Sequence, residues 1–154
     1  MVNKPAEKLM LGWREWIALP ELNIAQIKAK IDTGARSSAL HAYFIDPYQK
    51  GGQQWVMFAI HPKQYSDVSQ ECHAPVKDRR MVSDSGGHKQ RRYVIETPLV
   101  LGRHTIKAEI TLTNRDSMLF RMLLGRTAIN TEFIIDPGAS YLQGKPHRSR
   151  NILK

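Results

Sequence analysis

The chain has 154 residues, long enough for one packed domain and too short for two independent cores. Hydrophobic residues make up 42% and charged residues 24%, proportions that exclude disordered and fibrous classes. Lys plus Arg number 23 against 14 Asp plus Glu, and the formal charge of +9 favours an acidic partner without choosing among nucleic acid, anionic membrane and acidic peptide.

No stretch approaches a membrane span, and the opening residues lack the apolar core of a signal peptide, so a cytoplasmic setting is expected. The single cysteine, Cys72, agrees with a reducing compartment. Residues 1–8 read as an N-terminal extension, 9–142 as the folded domain and 143–154 as a basic, flexible tail.

Helix-period patterns are scarce, whereas two-residue alternation recurs. Residues 13–19 form a candidate strand, with Pro20-Glu21 as the turn. From 23 to 31, Ala25, Ile27, Ala29 and Ile31 alternate with Gln26, Lys28 and Lys30, predicting a half-buried strand that runs into Asp32-Thr33-Gly34-Ala35. Residues 37–44 look extended, Asp46-Pro47 and Gly51-Gly52 mark a loop, and 55–60 is a further strand. Residues 61–77 read as an irregular connection.

Strands at 80–82 and 92–95 flank a stretch whose Ser85-Gly86-Gly87 suits a hairpin tip, a candidate mobile flap. Residues 98–101 and 105–113 pair around Gly102-Arg103. A buried strand at 120–124 ends at Gly125, residues 126–131 allow a short helix, and Phe133-Ile134-Ile135 is extended again.

An isolated Asp-Thr-Gly is weak evidence, and Asp32 could simply close a strand with an Asx turn. Its context is stronger. About ninety residues after Ile31-Asp32-Thr33-Gly34-Ala35, a second apolar run leads into Leu123-Leu124-Gly125-Arg126-Thr127-Ala128-Ile129, with the glycine-tipped hairpin between them. These segments resemble the paired signatures of retropepsin-like aspartic peptidases. The similarity is closer to the RimK-associated retropepsin-like family, catalogued as ATP-dependent zinc proteases, over residues 30–42, 80–102 and 114–129, and it extends over most of 9–136.

The resemblance implies a mainly β, closed retropepsin-like (acid protease) barrel with one short helix near the C-terminus and one catalytic Asp per subunit. It also implies a link to glutamate ligases, whose added tails such proteins are proposed to trim. Peptide hydrolysis without a metal needs a base to activate water and an acid to protonate the carbonyl oxygen and the leaving amine. Two carboxylates about 3 Å apart share one proton and supply both. A single Asp-Thr-Gly per chain therefore calls for a homodimer, with Asp32, Thr33 and Gly34 from each copy forming the site.

If the substrate is an acidic peptide, Arg36, Arg80, Arg91, Arg92 and Arg126 are candidate binding residues, beneath a flap carrying Ser85, Gly86 and Gly87. Retropepsins commonly carry an acidic residue two positions after the glycine, where it pairs with the later arginine; here that position is Arg36. Arg126 then pairs elsewhere, with Asp116 or Glu132, or both arginines face the substrate. The basic stretch at 77–92 could equally be a solvated face, and His41 a structural histidine.

Two other readings stand beside this one. A non-catalytic basic barrel could bind RNA or a ribosomal partner. A zinc-dependent hydrolase could be imagined on His61, Cys72 and His73, but their spacing fits no standard site, and no phosphate-binding glycine loop is present. No cofactor is expected.

Overall fold

The computed structural model describes residues 8–83, 86–115 and 119–146. In chain order the strands are β1 (Leu9–Leu11), β2 (Arg14–Leu19), β3 (Ile24–Ile31), β4 (Ser38–His41), β5 (Phe44–Lys50), β6 (Gln53–Ile60), β7 (Gln70–Pro75), β8 (Asp78–Ser83), β9 (Lys89–Leu101), β10 (His104–Thr113), β11 (Met122–Leu124) and β12 (Phe133–Ile135). The helix α1 (Arg126–Ile129) and two short 3-10 turns, Pro20–Leu22 and Asn130–Glu132, complete the described elements.

Strands β10, β4, β11, β3, β2 and β9 pair in that order, and β9 pairs again with β10, so the sheet closes into a six-stranded barrel. Closure removes the unpaired edges that an open sheet would present. Leu11, Ile17, Ile27, Leu40, Ile95 and Ile110 are fully buried in the core. Truncating one of them to alanine is expected to cost about 2–5 kcal/mol through lost burial and the cavity left behind.

Outside the barrel, β8 extends the sheet by pairing with the first half of β9, and β5, β6 and β7 form a three-stranded antiparallel sheet. The inner face of that sheet, with Val56, Phe58, Ile60, Cys72 and Ala74, joins the same core. β1 and β12 form a parallel pair. Residues 136–146 then return across β2 as a strap. In it, Trp13 donates to the Ala139 carbonyl at 2.8 Å and Tyr141 to the Arg14 carbonyl at 2.9 Å. Glu15, fully buried beneath the strap, accepts from the backbone N–H groups of Gly12, Leu142 and Gln143 at 2.7, 3.0 and 3.1 Å. A buried carboxylate is tolerated because such charge-assisted bonds replace its water. Gln143 to Pro146 thus lie against the barrel; residues 147–154, the rest of the expected flexible tail, fall outside the described residues.

Several local expectations are revised. Ile24 is buried and Ala25 exposed, because the β2–β3 register shifts between Ile17 and Leu19, and such a bulge changes which face a residue occupies. Asp46-Pro47 lies within β5 rather than in a loop. That strand is the edge of its sheet, where a missing N–H can face outward at no cost to the ladder. The turn is confined to Gly51 and Gly52, whose φ values of 59° and 78° suit a two-residue hairpin. The stretch 61–77 contains β7, whose only inward residues are the small Cys72 and Ala74. Residues 98–101 are not a separate strand but the end of the 13-residue β9.

Candidate active site

The Asp32 loop is built by three strands. β11 lies between β3, to which it is parallel, and β4, to which it is antiparallel, so residues 32–37 must cross over the end of β11. Asp32 donates its N–H to the Leu124 carbonyl at 2.9 Å, Ala35 donates to the Asp32 carbonyl at 3.2 Å, and Arg126 and Thr127 donate to the carbonyls of Ala35 and Arg36 at 2.9 and 3.1 Å. The first turn of α1 therefore grips the loop from below.

Gly125 is the point of closest approach. A Cβ there would stand 2.5 Å from the Ser37 oxygen and 2.8 Å from that of Arg36. Gly125 N–H also donates to Ser38 Oγ at 3.1 Å. The Ser38 carbonyl accepts from Thr111 Oγ1 at 3.1 Å, and Thr111 accepts in turn from Arg92 Nη1 at 3.3 Å. This buried chain ties the flap strand β9 to the foot of the aspartate loop.

Asp32 is half-buried, and Thr33, Gly34 and Arg36 are exposed. Gly34 N–H donates to Asp32 Oδ1 at 3.0 Å, which fixes one carboxylate oxygen. Gly34 is not among the residues with left-handed backbone, so no positive φ requires glycine there. A Cβ at Gly34 would lie 3.3 Å from Asp32 Oδ1, and its absence leaves the carboxylate unobstructed.

An open cleft of about 950 Å³ begins at this carboxylate. The structure brings Asp32, Gly34, Arg36, Arg80 and Arg92 together in its lining, and adds Lys30, Arg115 and Glu109, which the sequence reading did not single out. Thr33, Gly86, Gly87, Arg91 and Arg126 are not part of that lining, and Ser85 lies outside the described residues. Arg91 is exposed while its neighbour Arg92 is buried, as strand alternation requires. Arg126 Nη1 donates to the Thr33 carbonyl at 3.0 Å and braces the loop; it makes no ion pair with Glu132, and Asp116 lies outside the described residues. His41 is buried, with Nδ1 accepting the Arg115 N–H at 3.0 Å, a structural arrangement that positions Arg115.

Glu109, the other acid lining the cleft among the described residues, is already committed. It meets Lys77 Nζ at 2.6 Å and Arg80 Nη1 at 3.1 Å, and Lys77 also meets Glu96 at 2.6 Å. The hydrogen bonds from Lys77 and Arg80 hold the Glu109 carboxyl below the ordinary glutamate value of 4.5, and the bond from Lys77 lowers Glu96 likewise. A carboxylate with a depressed folded-state pKa contributes stability above its unfolded value and loses it as pH falls through the folded one. Glu109→Gln is therefore expected to flatten the acid side of the melting-temperature curve below about pH 4.5, the unfolded glutamate range. Identical acid limbs in thermal melts of the two proteins would remove this network from the stability account.

The three residues considered for zinc do not converge. Cys72 faces the core with its thiol pushed up to about 12, mainly by burial, whereas His73 lies on the opposite, exposed face of β7. His61 Nδ1 is 3.3 Å from the Val68 carbonyl. Among the described residues no three His, Cys, Asp or Glu side chains cluster as a metal site would require.

A closed barrel, an Asp-Thr-Gly loop crossing a central strand, and a hairpin arm over the resulting cleft together define a retropepsin-like aspartic peptidase domain. Residues 10–146 match the family described as RimB-like, the retropepsin-like aspartic endopeptidase RimB. The chain belongs to that family. It is 44% identical over 139 residues to a protein of Shewanella halifaxensis named "Probable alpha-L-glutamate ligase", a match covering 90% of this chain and 30% of that one. A protein of the same name from Desulfotalea psychrophila is 42% identical over 145 residues, covering 94% of this chain and 31% of its own length. The chain thus spans less than a third of these relatives. A crystal structure of a Legionella pneumophila protein of unknown function is also similar, with a TM-score of 0.73 and 26% identity, covering 89% of this chain and 99% of the other.

Proposed function

We propose that two copies of this chain form a homodimeric aspartic peptidase that hydrolyses peptide bonds in an acidic, glutamate-tailed protein segment. The observation that carries the reading is Asp32 at the mouth of a cleft lined, among the described residues, by five basic side chains and one other acid, Glu109. Glu109 is held ionised by two cations and is ill suited to share a proton, so the second acid of the dyad comes from the partner copy's Asp-Thr-Gly loop.

In this mechanism the two carboxylates hold one proton. The ionised one takes a proton from water as the oxygen attacks the scissile carbonyl, and the other protonates the carbonyl oxygen. Collapse of the tetrahedral intermediate sends a proton to the leaving amine. The exposed Thr33 hydroxyl hydrogen-bonds across the twofold axis, and Gly34 N–H keeps each carboxylate oriented. Lys30, Arg36 and Arg115 bind substrate carboxylates flanking the scissile bond. Their strength would come from water exclusion beneath the flap formed by β8 and β9. Relatives that share this segment carry the name of a glutamate ligase, which supports a cytoplasmic role in removing residues that such a ligase adds.

Subunit mixing tests the dimer. If each site needs both acids, activity in random mixtures of wild type and Asp32→Asn falls as the square of the wild-type fraction; a linear fall would place the whole mechanism within one subunit. Arg36→Ala is expected to lower kcat/KM for glutamate-rich peptides about 10-fold or more, the scale of one lost charge-assisted hydrogen bond. Neutral peptides should be affected far less, and an equal loss on both would remove Arg36 from substrate recognition.

A further inference from the structure

Two sets of basic residues on this chain contrast in their surroundings. Three at the base of the flap, Lys77, Arg80 and Lys107, each meet a carboxylate of Glu96, Glu109 or Asp78 within 3.3 Å. Those on the outer face of β2 and β3 do not. Arg14 stands opposite Lys30, and Trp16 opposite Lys28, in the strand register, and Lys145 of the strap joins them. Among the described residues no carboxylate comes within ion-pair distance of any of these four cations.

Aromatic rings hold three of these charges, Arg14, Lys28 and Lys145, in place. Lys28 Nζ and Lys145 Nζ lie 5.2 and 5.4 Å from the Trp16 ring centre, and Arg14 lies 5.0 Å from that of Tyr141, which packs against Trp16 at 5.7 Å. Arg14 Nε also donates to Ser140 Oγ at 3.1 Å. Cations fixed over rings have already lost much of the side-chain freedom that binding would otherwise remove. The outcome is a preorganised positive stripe with no internal counter-charge.

The stripe is continuous with the cleft, because Lys30 belongs to both. Lys28 and Lys30 are two residues apart on one strand face, a spacing of about 7 Å. Carboxylates on one side of an extended peptide repeat at the same interval.

We infer that the outer face of β2 and β3, with Lys145 of the strap, is an exosite that holds the acidic chain of the substrate beyond the cleft. The inference rests on the acidic-substrate reading above. An acidic peptide is favoured over single-stranded RNA because Trp16 is already engaged by Lys28, Lys145 and Tyr141, so it is not an open platform for base stacking.

The test compares the double variant Lys28→Ala/Lys145→Ala with wild type on two fluorogenic oligoglutamate peptides, one of about four residues that fills only the cleft and one of about twelve that reaches about 40 Å. The expected result is a rise in KM of about 10-fold for the long peptide, with kcat and the short peptide unaffected and Lys28→Arg/Lys145→Arg restoring the wild-type value. An equal effect on both lengths, or none, overturns the exosite. Should wild type cleave neither peptide, the peptidase reading fails separately. The exosite is then judged by fluorescence anisotropy of the long peptide on Asp32→Asn protein: about 10-fold weaker binding in the double alanine background supports it, and unchanged binding rejects it. Tighter binding of a single-stranded oligouridylate of matched charge would assign the face to nucleic acid and overturn the proposal.

Discussion

Asp32→Asn is expected to lower kcat by about 1,000-fold or more, the range over which positioned acid–base groups contribute, while KM changes little. The separation follows from the geometry. An asparagine side chain still offers an oxygen to the Gly34 N–H, so the loop keeps its shape, and the cations that bind substrate belong to other elements. What is lost is the ability to hold and release a proton. Peptide cleavage under single-turnover conditions, with thermal melts confirming an unchanged fold, measures this directly. An Asn variant within about 10-fold of wild type would end the proposal of proton transfer at Asp32.

The second large effect belongs to a residue that takes no part in chemistry. Gly125→Ala is expected to destabilise the domain by about 3 kcal/mol, lowering the melting temperature by about 10 °C, and to depress activity in the fraction that remains folded. The backbone at Gly125, with φ −91°, suits any residue, so the cost is purely steric. An added methyl would meet main-chain atoms of residues 36 and 37, and those atoms cannot rotate away as a side chain could. Gly51→Ala is the contrasting control. There φ is 59° with no atom within 4 Å of a new Cβ, so only the left-handed strain of about 1–2 kcal/mol applies, far from the site. If differential scanning calorimetry found the two substitutions equally mild, the tight packing of α1 beneath the aspartate loop would be refuted.

The strand leading into Asp32, the later strand ending at Gly125 and the helix after it are legible because each carries an unbroken local signal: alternation, an apolar run, then a glycine stop. β7 is not legible, since its two inward side chains are a cysteine and an alanine, too small to mark a face. The bulge that exposes Ala25 is hidden for a different reason. It is set by pairing with β2, and nothing within β3 announces it. Arg80 and Arg92 could be singled out as arginines beside a predicted flap. Lys30 read only as the polar half of an alternating strand, and Arg115 carried no separate signal, because which outward side chains share a cleft depends on how the barrel closes. The same limit explains Arg126, whose bond to a main-chain carbonyl leaves no sequence signature, unlike an acid–base pair.

Glu15 has a consequence for how the polypeptide acquires its shape. Its carboxylate depends on amides of residues 12, 142 and 143, and β1 is completed only by β12, so the earliest and latest synthesised parts of the domain must meet before either is stable. Such distant pairings slow folding. While a ribosome still holds the stretch after residue 132, the nascent chain lacks partners for its first strand and for a charged group destined for the interior, and it should remain sensitive to added protease until that stretch emerges.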